Sequence, residues 1–262
     1  MKVKISVICP TFNSEKFVEE TLLCVFHQTR LPDELVLIDD GSDDDTVKIL
    51  KNLTFHYQER VKCIIIENKH RGPGAARNEG IRVASGDWIA FLDSDDIWYP
   101  EKLAEVEKSL IRNKDINFIC HSEISRSLKG KSKRLDYCKK YDSLKPLPQQ
   151  LFHANLFSTS AVVCKRDLLV YGGGFDEYLM SAQDYELWLR LSPIIDVFFL
   201  NECLGEYIHR SDNISSGNLK KRFQNELKIA YKHRQLVNNS RFVFRIIRIL
   251  MSFSLQLVRS VK

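Results

Sequence analysis

Long apolar runs are missing from this 262-residue sequence. No stretch of about 18 residues is both apolar and uncharged, which argues against an ordinary membrane-spanning helix. Paired cysteines are missing too. The seven at positions 9, 24, 63, 120, 138, 164 and 203 are odd in number, widely spread and without a CxxC spacing, which argues against a disulfide framework and a zinc knuckle. Glycine and proline are scarce, 11 and 7 residues, so collagen-like and low-complexity chains are poor descriptions. Met1–Ile5 enters an apolar strand with no small-residue cleavage site, so a secretory leader is not expected and the cytoplasm is the expected compartment.

What is present is a globular composition, 44% hydrophobic and 28% charged, long enough for one large domain with appendages. The net charge of +5 conceals an asymmetry. Residues 219–262 carry 11 Lys and Arg against the single Glu226, leaving 28 basic and 33 acidic residues in the remainder. An acidic body with a basic tail implies a polyanionic surface near the tail and a cation-using site in the body.

Residues 5–9, 34–38, 61–66, 88–92 and 116–120 are short β-branched runs, apolar on both faces, that read as strands. Between them Phe17, Thr21, Leu22, Val25 and Phe26 follow helical spacing, Ser42 to Asp45 offers a capping box, and Pro100 suits the first turn of a helix through Asn113. Such βαβ alternation predicts a mostly parallel, Rossmann-like sheet with helices on both faces and a ligand crevice at the carboxyl ends of the strands. Residues 125–148 form a basic, periodless stretch, read as a mobile loop over that crevice. A strand at 160–164, a glycine turn at 172–176, a helix near 182–191, strands near 196–200 and 204–209, and an Arg-rich helical tail complete the prediction.

Acidic clusters fall at the predicted strand ends: Asp39 and Asp40, then Asp93, Ser94, Asp95 and Asp96, then Asp184 with Glu186. Carboxylates crowded after residues 88–92 repel one another unless a cation sits among them, and Mg2+ or Mn2+ suits so short a cluster, because it takes few protein carboxylates and accepts phosphate oxygens. A helix-start cap with solvated aspartates is the alternative for this segment. Gly72-Pro73-Gly74-Ala75-Ala76-Arg77 fails the dinucleotide fingerprint, since Arg77 replaces the third glycine. It still offers a glycine-turned helix N-terminus and a forked cation to a diphosphate. An ordinary loop with Arg77 in a surface pair is the other reading.

Pro10-Thr11-Phe12-Asn13, Asp39-Asp40-Gly41-Ser42, Gly74-Ala75-Ala76-Arg77-Asn78, Asp93-Ser94-Asp95-Asp96 and Gln183-Asp184-Tyr185-Glu186-Leu187-Trp188 occur in this order. Together they resemble the family 2 glycosyltransferases, and the resemblance spans residues 4 to about 217. It implies a GT-A fold, a nucleotide-sugar donor, most simply a UDP-sugar, a divalent metal, Mn2+ or Mg2+, and inversion at the anomeric carbon. By position, Pro10, Thr11, Phe12 and Asn13 match the loop that holds the donor nucleotide. Asp40 matches the carboxylate on a uracil-type base, Arg77 the basic residue near the base and diphosphate, Asp93 the ribose-side aspartate, Asp95 the metal ligand, and Ser94 the variable position between them. Asp184 takes the place of the catalytic base, with Gln183 where the family often has Glu. Asp176 is either an acceptor contact or a turn residue, and His209, in a segment through Ser215 similar to one near the end of many members, either ligates the metal or does not. Glu186 and Trp188 are expected to be structural.

The implied organisation is a catalytic domain over 1–217 and a basic amphipathic tail over 218–262. The domain divides into a donor-binding half, 1–120, and an acceptor half, 121–217. The acceptor would be a hydroxyl of a glycan or lipid-linked saccharide, in surface polysaccharide synthesis. The tail is expected to hold the enzyme at the inner face of the plasma membrane, Arg245, Arg248 and Arg259 reaching lipid phosphates while the apolar residues enter the interface. Packing of the tail on the catalytic domain or on a second subunit is the alternative. Two rival classes are an aspartate-dependent phosphoryl-transfer enzyme, for which Ile97 stands where Thr or Val is needed, and a non-enzymatic binder of anionic surfaces. The tail has no nucleic-acid-binding motif.

Overall fold

The computed structural model describes residues 3–127, 130–210 and 219–260. The first half alternates as predicted: β1 (Ile5–Thr11), α1 (Val18–Phe26), β2 (Glu34–Asp39), α2 (Thr46–Tyr57), β3 (Lys62–Glu67), α3 (Pro73–Val83) and β4 (Trp88–Phe91). There follow β5 (Ile97–Trp98), α4 (Lys102–Arg112), β6 (Phe118–Arg126), β7 (Ser132–Leu135), α5 (Tyr137–Lys140), α6 (Leu147–His153), β8 (Val162–Lys165), α7 (Arg166–Tyr171), α8 (Gln183–Leu191), β9 (Val197–Ile208), α9 (Leu219–Lys232) and α10 (Asn239–Ser260).

The strands form one nine-stranded sheet, ordered β3-β2-β1-β4-β8-β6-β9-β5 with β7 on the side of β6. Parallel pairing holds β3, β2, β1 and β4 together, but β8 runs antiparallel to β4 and β6, so the second half is mixed. Alternation along each central strand decides the layers. Val7, Leu35 and Leu37 meet α1, α2 and α4 on one face, while Ile8, Val36 and Ile38 meet α3, α6 and α8 on the other. Trp188 is fully buried against Phe91, Phe118 and Phe175, a core residue as expected.

Three expectations change. The two strands read near 196–200 and 204–209 are one, β9, which pairs with β6 through two register irregularities. The stretch read as a loop at 125–148 contains the end of β6, β7, α5 and the start of α6, because a basic strand on an exposed sheet edge shows little hydrophobic period. The tail packs on the domain: Ile229, Ala230 and Ile249 are buried in the core that includes Trp188. Arg245 and Arg248 do not point away toward lipid. Both donate to the carbonyl of His153 at the end of α6, and Arg245 also pairs with Glu226. No helix among the described residues is long and apolar enough to cross a membrane.

Candidate active site

Parallel register brings the ends of β1 and β2 side by side, Thr11 opposite Asp39, and the Asp40 N–H donates to the Thr11 carbonyl (2.8 Å). Asp39 is spent on the turn that follows. It accepts from Thr11 Oγ1 (3.1 Å), Gly41 N (3.2 Å) and Ser42 N (2.8 Å). Ser42 therefore does not form the expected capping box; Asp44 Oδ1 instead accepts the first N–H of α2, from Thr46, at 2.9 Å. Gly41 holds φ of 83°, and a Cβ there would lie 2.8 Å from the His70 nitrogen, so only glycine fits.

Asp40 is buried, and both its oxygens are taken by the loop before α3. Oδ1 accepts Arg71 N and Oδ2 accepts Gly72 N, each at 2.8 Å, with His70 Nδ1 2.9 Å away. Asp40 thereby fixes the backbone of residues 70–72 as a floor beside Phe12. Pro10 and Thr11 are likewise buried in β1, leaving Phe12 and Asn13 as the exposed part of that loop. Phe12 is 44% exposed and stacks on the His70 ring at 4.3 Å, and Asn13 adopts φ of 47°, held by Ser42 Oγ on its N–H.

After β4 the chain turns through Asp93–Asp96. Asp93 N donates to Ser160 Oγ (3.0 Å), and that hydroxyl donates to Asp96 Oδ2 (2.6 Å), while Ile208 N reaches Asp96 Oδ1 (3.1 Å). Ser94 Oγ meets Ser14 Oγ at 2.9 Å and its carbonyl accepts from Thr21. Asp96 is thus internal. Burial, then the charges of Asp95 and Asp93, push its carboxyl well above the usual range. Beneath it lies Lys102, fully buried, its ammonium 2.6 Å from the Ser160 carbonyl and 3.4 Å over the Trp98 ring. Lys102, Ser160 and the role of Asp96 were not foreseen. The available signal was a lysine in helical phase with Leu103, Val106 and Leu110 on a buried stripe.

Arg77, on the buried face of α3, is 5% exposed. Its Nη2 pairs with Asp93 and its guanidinium lies 5.4 Å from the Phe175 ring centroid, yet among the described residues Nε and Nη1 have no hydrogen-bond partner. Buried guanidinium N–H groups are costly to leave unpaired, so this is a cationic socket shaped for acceptor oxygens. Asp184 is the second residue of α8, whose first residue, Gln183, follows Ala182 at φ of 59°. Burial raises its pKa; its Tyr185 backbone partner and Arg77 pull the other way, and Asp93 adds to the rise. Arg77, Asp93 and Asp184 are therefore within electrostatic reach of one another, and Asn155 Nδ2 lies 3.4 Å from Asp184 Oδ2.

The glycine turn before α8 is pinned by Asn78, which donates to Phe175 O (2.9 Å) and accepts from Phe175 N (2.7 Å). In the sequence Asn78 closes the Gly74–Asn78 segment, and its spacing carries no signal of this contact. Asp176 serves as a turn residue and ion partner, Oδ1 accepting Tyr178 N (3.1 Å) and Oδ2 facing Lys232 Nζ (3.0 Å). Glu186 is fully buried and takes Arg190, Lys232 and His233, each at 2.9 Å. Burial would raise its pKa, but the hydrogen bonds from these three side chains reverse that and hold it well below the usual carboxylate range. This clamp ties α9 to the helix bearing Asp184. Glu186→Ala should cost about 1–3 kcal/mol, because it leaves the buried His233 ring and the half-buried Arg190 without their hydrogen-bond acceptor. A depressed carboxyl stabilises the fold above its ordinary pKa of 4.5 and loses that contribution as pH falls below it. Urea unfolding from pH 7 to 3 should show a drop below pH ~4.5 that Glu186→Gln lacks; identical pH curves would remove the clamp.

His209 is exposed, its N–H on the Arg126 carbonyl and its Nε2 2.8 Å from Ser125 Oγ. The neighbouring Arg210 is the residue that reaches Asp95, Nε to Oδ2 at 3.9 Å. His209 therefore does not join the carboxylates, and the similar segment at 211–215 lies outside the described residues. Among the described residues no set of three His, Cys, Asp or Glu converges as for a metal cage. Oxygen donors so few suit Mg2+ or Mn2+, which draw most ligands from water and phosphate. Asp95, with Asp93 next along the turn, fits such an ion; Asp96, spent on Ser160 and Ile208, does not.

A three-layer α/β fold with an acidic rim and a buried arginine socket at the strand ends defines an enzyme-like cleft for an anionic, cation-assisted ligand. The chain belongs to glycosyl transferase family 2, whose model matches residues 6–167. It is therefore a family 2 glycosyltransferase of GT-A fold, and the phosphoryl-transfer and non-enzymatic readings fall away. It is 28% identical over 223 residues to TuaG of Bacillus subtilis, described as a teichuronic acid biosynthesis glycosyltransferase, covering 84% of each chain. It spans 62% of two Rickettsia relatives, which are longer. Among solved structures it resembles S. aureus TarS in complex with UDP-GlcNAc (TM-score 0.74, 20% identity, 95% of this chain and 72% of that one). It also resembles the mannosyltransferase PcManGT of Pyrobaculum calidifontis in complex with GDP-Man and Mn2+ (TM-score 0.70, 18% identity, 97% and 70%).

Proposed function

We propose that this chain transfers a sugar, with inversion, from a nucleotide-diphosphate donor, most simply a UDP-sugar, to a hydroxyl of a glycan or lipid-linked saccharide during surface polysaccharide synthesis. The observation that carries the reading is Arg77: two buried guanidinium nitrogens, unpartnered among the described residues, beside Asp93 and within electrostatic reach of Asp184. The relationship to TuaG supports the polysaccharide setting, and the TarS likeness supports a UDP donor.

The nucleotide base lies against the exposed Phe12–His70 pair, on the floor that Asp40 fixes, and Asp93 faces the ribose. Arg77 receives the charge that develops on the departing diphosphate. Mn2+ or Mg2+ held through Asp95 would supply further charge neutralisation to that leaving group. Asp184 takes the acceptor proton as its oxygen bonds to the anomeric carbon and the bond to the diphosphate breaks on the opposite face. Gln183 is a buried neighbour in this scheme. The exposed apolar residues of α10, Val243, Ile247, Leu250, Met251 and Leu255, support a seat at the inner face of the plasma membrane. This replaces the arrangement with lipid-facing arginines.

A donor panel read by release of nucleoside diphosphate tests the reading. Release from one sugar nucleotide with Mn2+, lost on adding EDTA and regained with excess metal, is expected. Release unaffected by EDTA removes the metal from the scheme, and absence of binding by every sugar nucleotide overturns the proposal.

A further inference from the structure

Between α6 and α10 lies a cavity of about 680 Å3 that the donor scheme leaves unused. Its apolar surface comes from Phe152, Leu156 and Phe244, the first two buried and the third 53% exposed. Its polar side is cationic. Asp142 is matched by Lys145 (2.7 Å) and Glu226 by Arg245 (3.4 Å), whereas among the described residues Lys140, Arg241 and Arg248 have no carboxylate partner. Arg241 bonds only the neutral Gln149, and Arg248 bonds His153, itself pushed below the usual imidazole range by burial and then by Arg248, Arg245 and Arg241. Three guanidiniums, Arg241, Arg245 and Arg248, thus lie on successive turns of one helix face along α6, and among the described residues only Arg245 has a carboxylate to match it. Such an excess of positive charge at the mouth of a cavity attracts a ligand that carries negative charge.

The position of the cavity is as informative as its charge. Ala154 and Leu156 line it, and Asn155 between them turns the other way to Asp184. Its other wall, α10, carries the exposed apolar residues named above. A molecule seated here would have its apolar end toward that surface and its polar end one residue from the proposed base.

We infer that the α6–α10 cavity is the acceptor site, and that it binds an apolar chain bearing a phosphate headgroup, the phosphate on Arg241 and Lys140 and the chain along Phe152 and Phe244. The inference rests on the glycosyltransferase reading and names its acceptor class: a saccharide joined to a lipid through phosphate. A purely saccharide acceptor has no use for the phenylalanines, and inorganic phosphate alone has none either.

Calorimetric titration of the full chain with farnesyl phosphate, below its micelle concentration, tests this; farnesol and inorganic phosphate serve as separate arms. Farnesyl phosphate should bind, and each partial ligand should bind at least about tenfold more weakly, the effect of one charge-assisted contact set. Arg241→Gln and Lys140→Gln should each weaken binding by about tenfold, with Arg241→Lys recovering most of it. Both side chains are exposed, and thermal melts matching the parent verify that the variants fold. Equal binding of farnesol, equal binding of inorganic phosphate, indifference to both variants, or no binding at all would each overturn the site. The titration needs neither donor nor metal. Its failure beside intact nucleoside diphosphate release removes only this acceptor site, and its success without any release removes only the transfer reading.

Discussion

Asp184→Asn should lower kcat by roughly 10²- to 10⁴-fold, the range spanned by removal of a positioned base, while donor binding changes little. The amide keeps the volume and the contact with Asn155 but cannot accept the acceptor proton. The parent enzyme should also show a displaced acid limb. Burial raises the Asp184 pKa, so the carboxylate form is lost at a higher pH than for an ordinary aspartate. Activity should accordingly fall as pH drops through that raised value and hold above it. Steady-state rates from pH 4 to 9 check the profile. A fully active Asp184→Asn enzyme would remove the base assignment.

Arg77→Lys should lower kcat by roughly 10²- to 10³-fold, the loss typical when a donor to developing negative charge is removed. Lysine retains the charge but not the fork: one ammonium cannot hold Asp93 and also present two further N–H groups to a phosphate. Arg77→Met has a second consequence. Arg77 is one of the groups holding the Asp184 pKa down, and Asp93 raises it. Removing the cation leaves the two carboxylates facing one another, so the acid limb should move to still higher pH. A variant with reduced kcat and an unmoved limb would place Arg77 and Asp184 in separate environments.

Much of this site was legible in the sequence because strand ends are legible. Runs such as residues 34–38 and 88–92 are buried on both faces, so the polar residues that follow them must lie on one rim, and Asp40, Asp93 and Asp95 do. Individual duties were less legible. Asp39 and Asp40 are adjacent carboxylates that differ in the groups their oxygens meet, Thr11 and residues 41–42 for Asp39 and the loop of residues 70–72 for Asp40. His209 and Arg210 point in different directions from the end of β9, a matter of one residue of phase. The tail misled for a different reason. An amphipathic pattern states that two faces differ but not which is turned inward, and here Arg245 and Arg248 face the domain alongside Phe242, Ile246 and Ile249, while Val243, Ile247 and Leu250 face out.

A crystal structure of the chain with UDP and Mn2+ is the most direct test of whether residues far apart in sequence gather around one activated sugar. A diphosphate oxygen within hydrogen-bond distance of Arg77 Nε or Nη1, with the metal on Asp95 and the Asp184 carboxylate open to the same cavity, is expected. A nucleotide bound away from Arg77, or a metal that leaves Asp95 unligated, would contradict it.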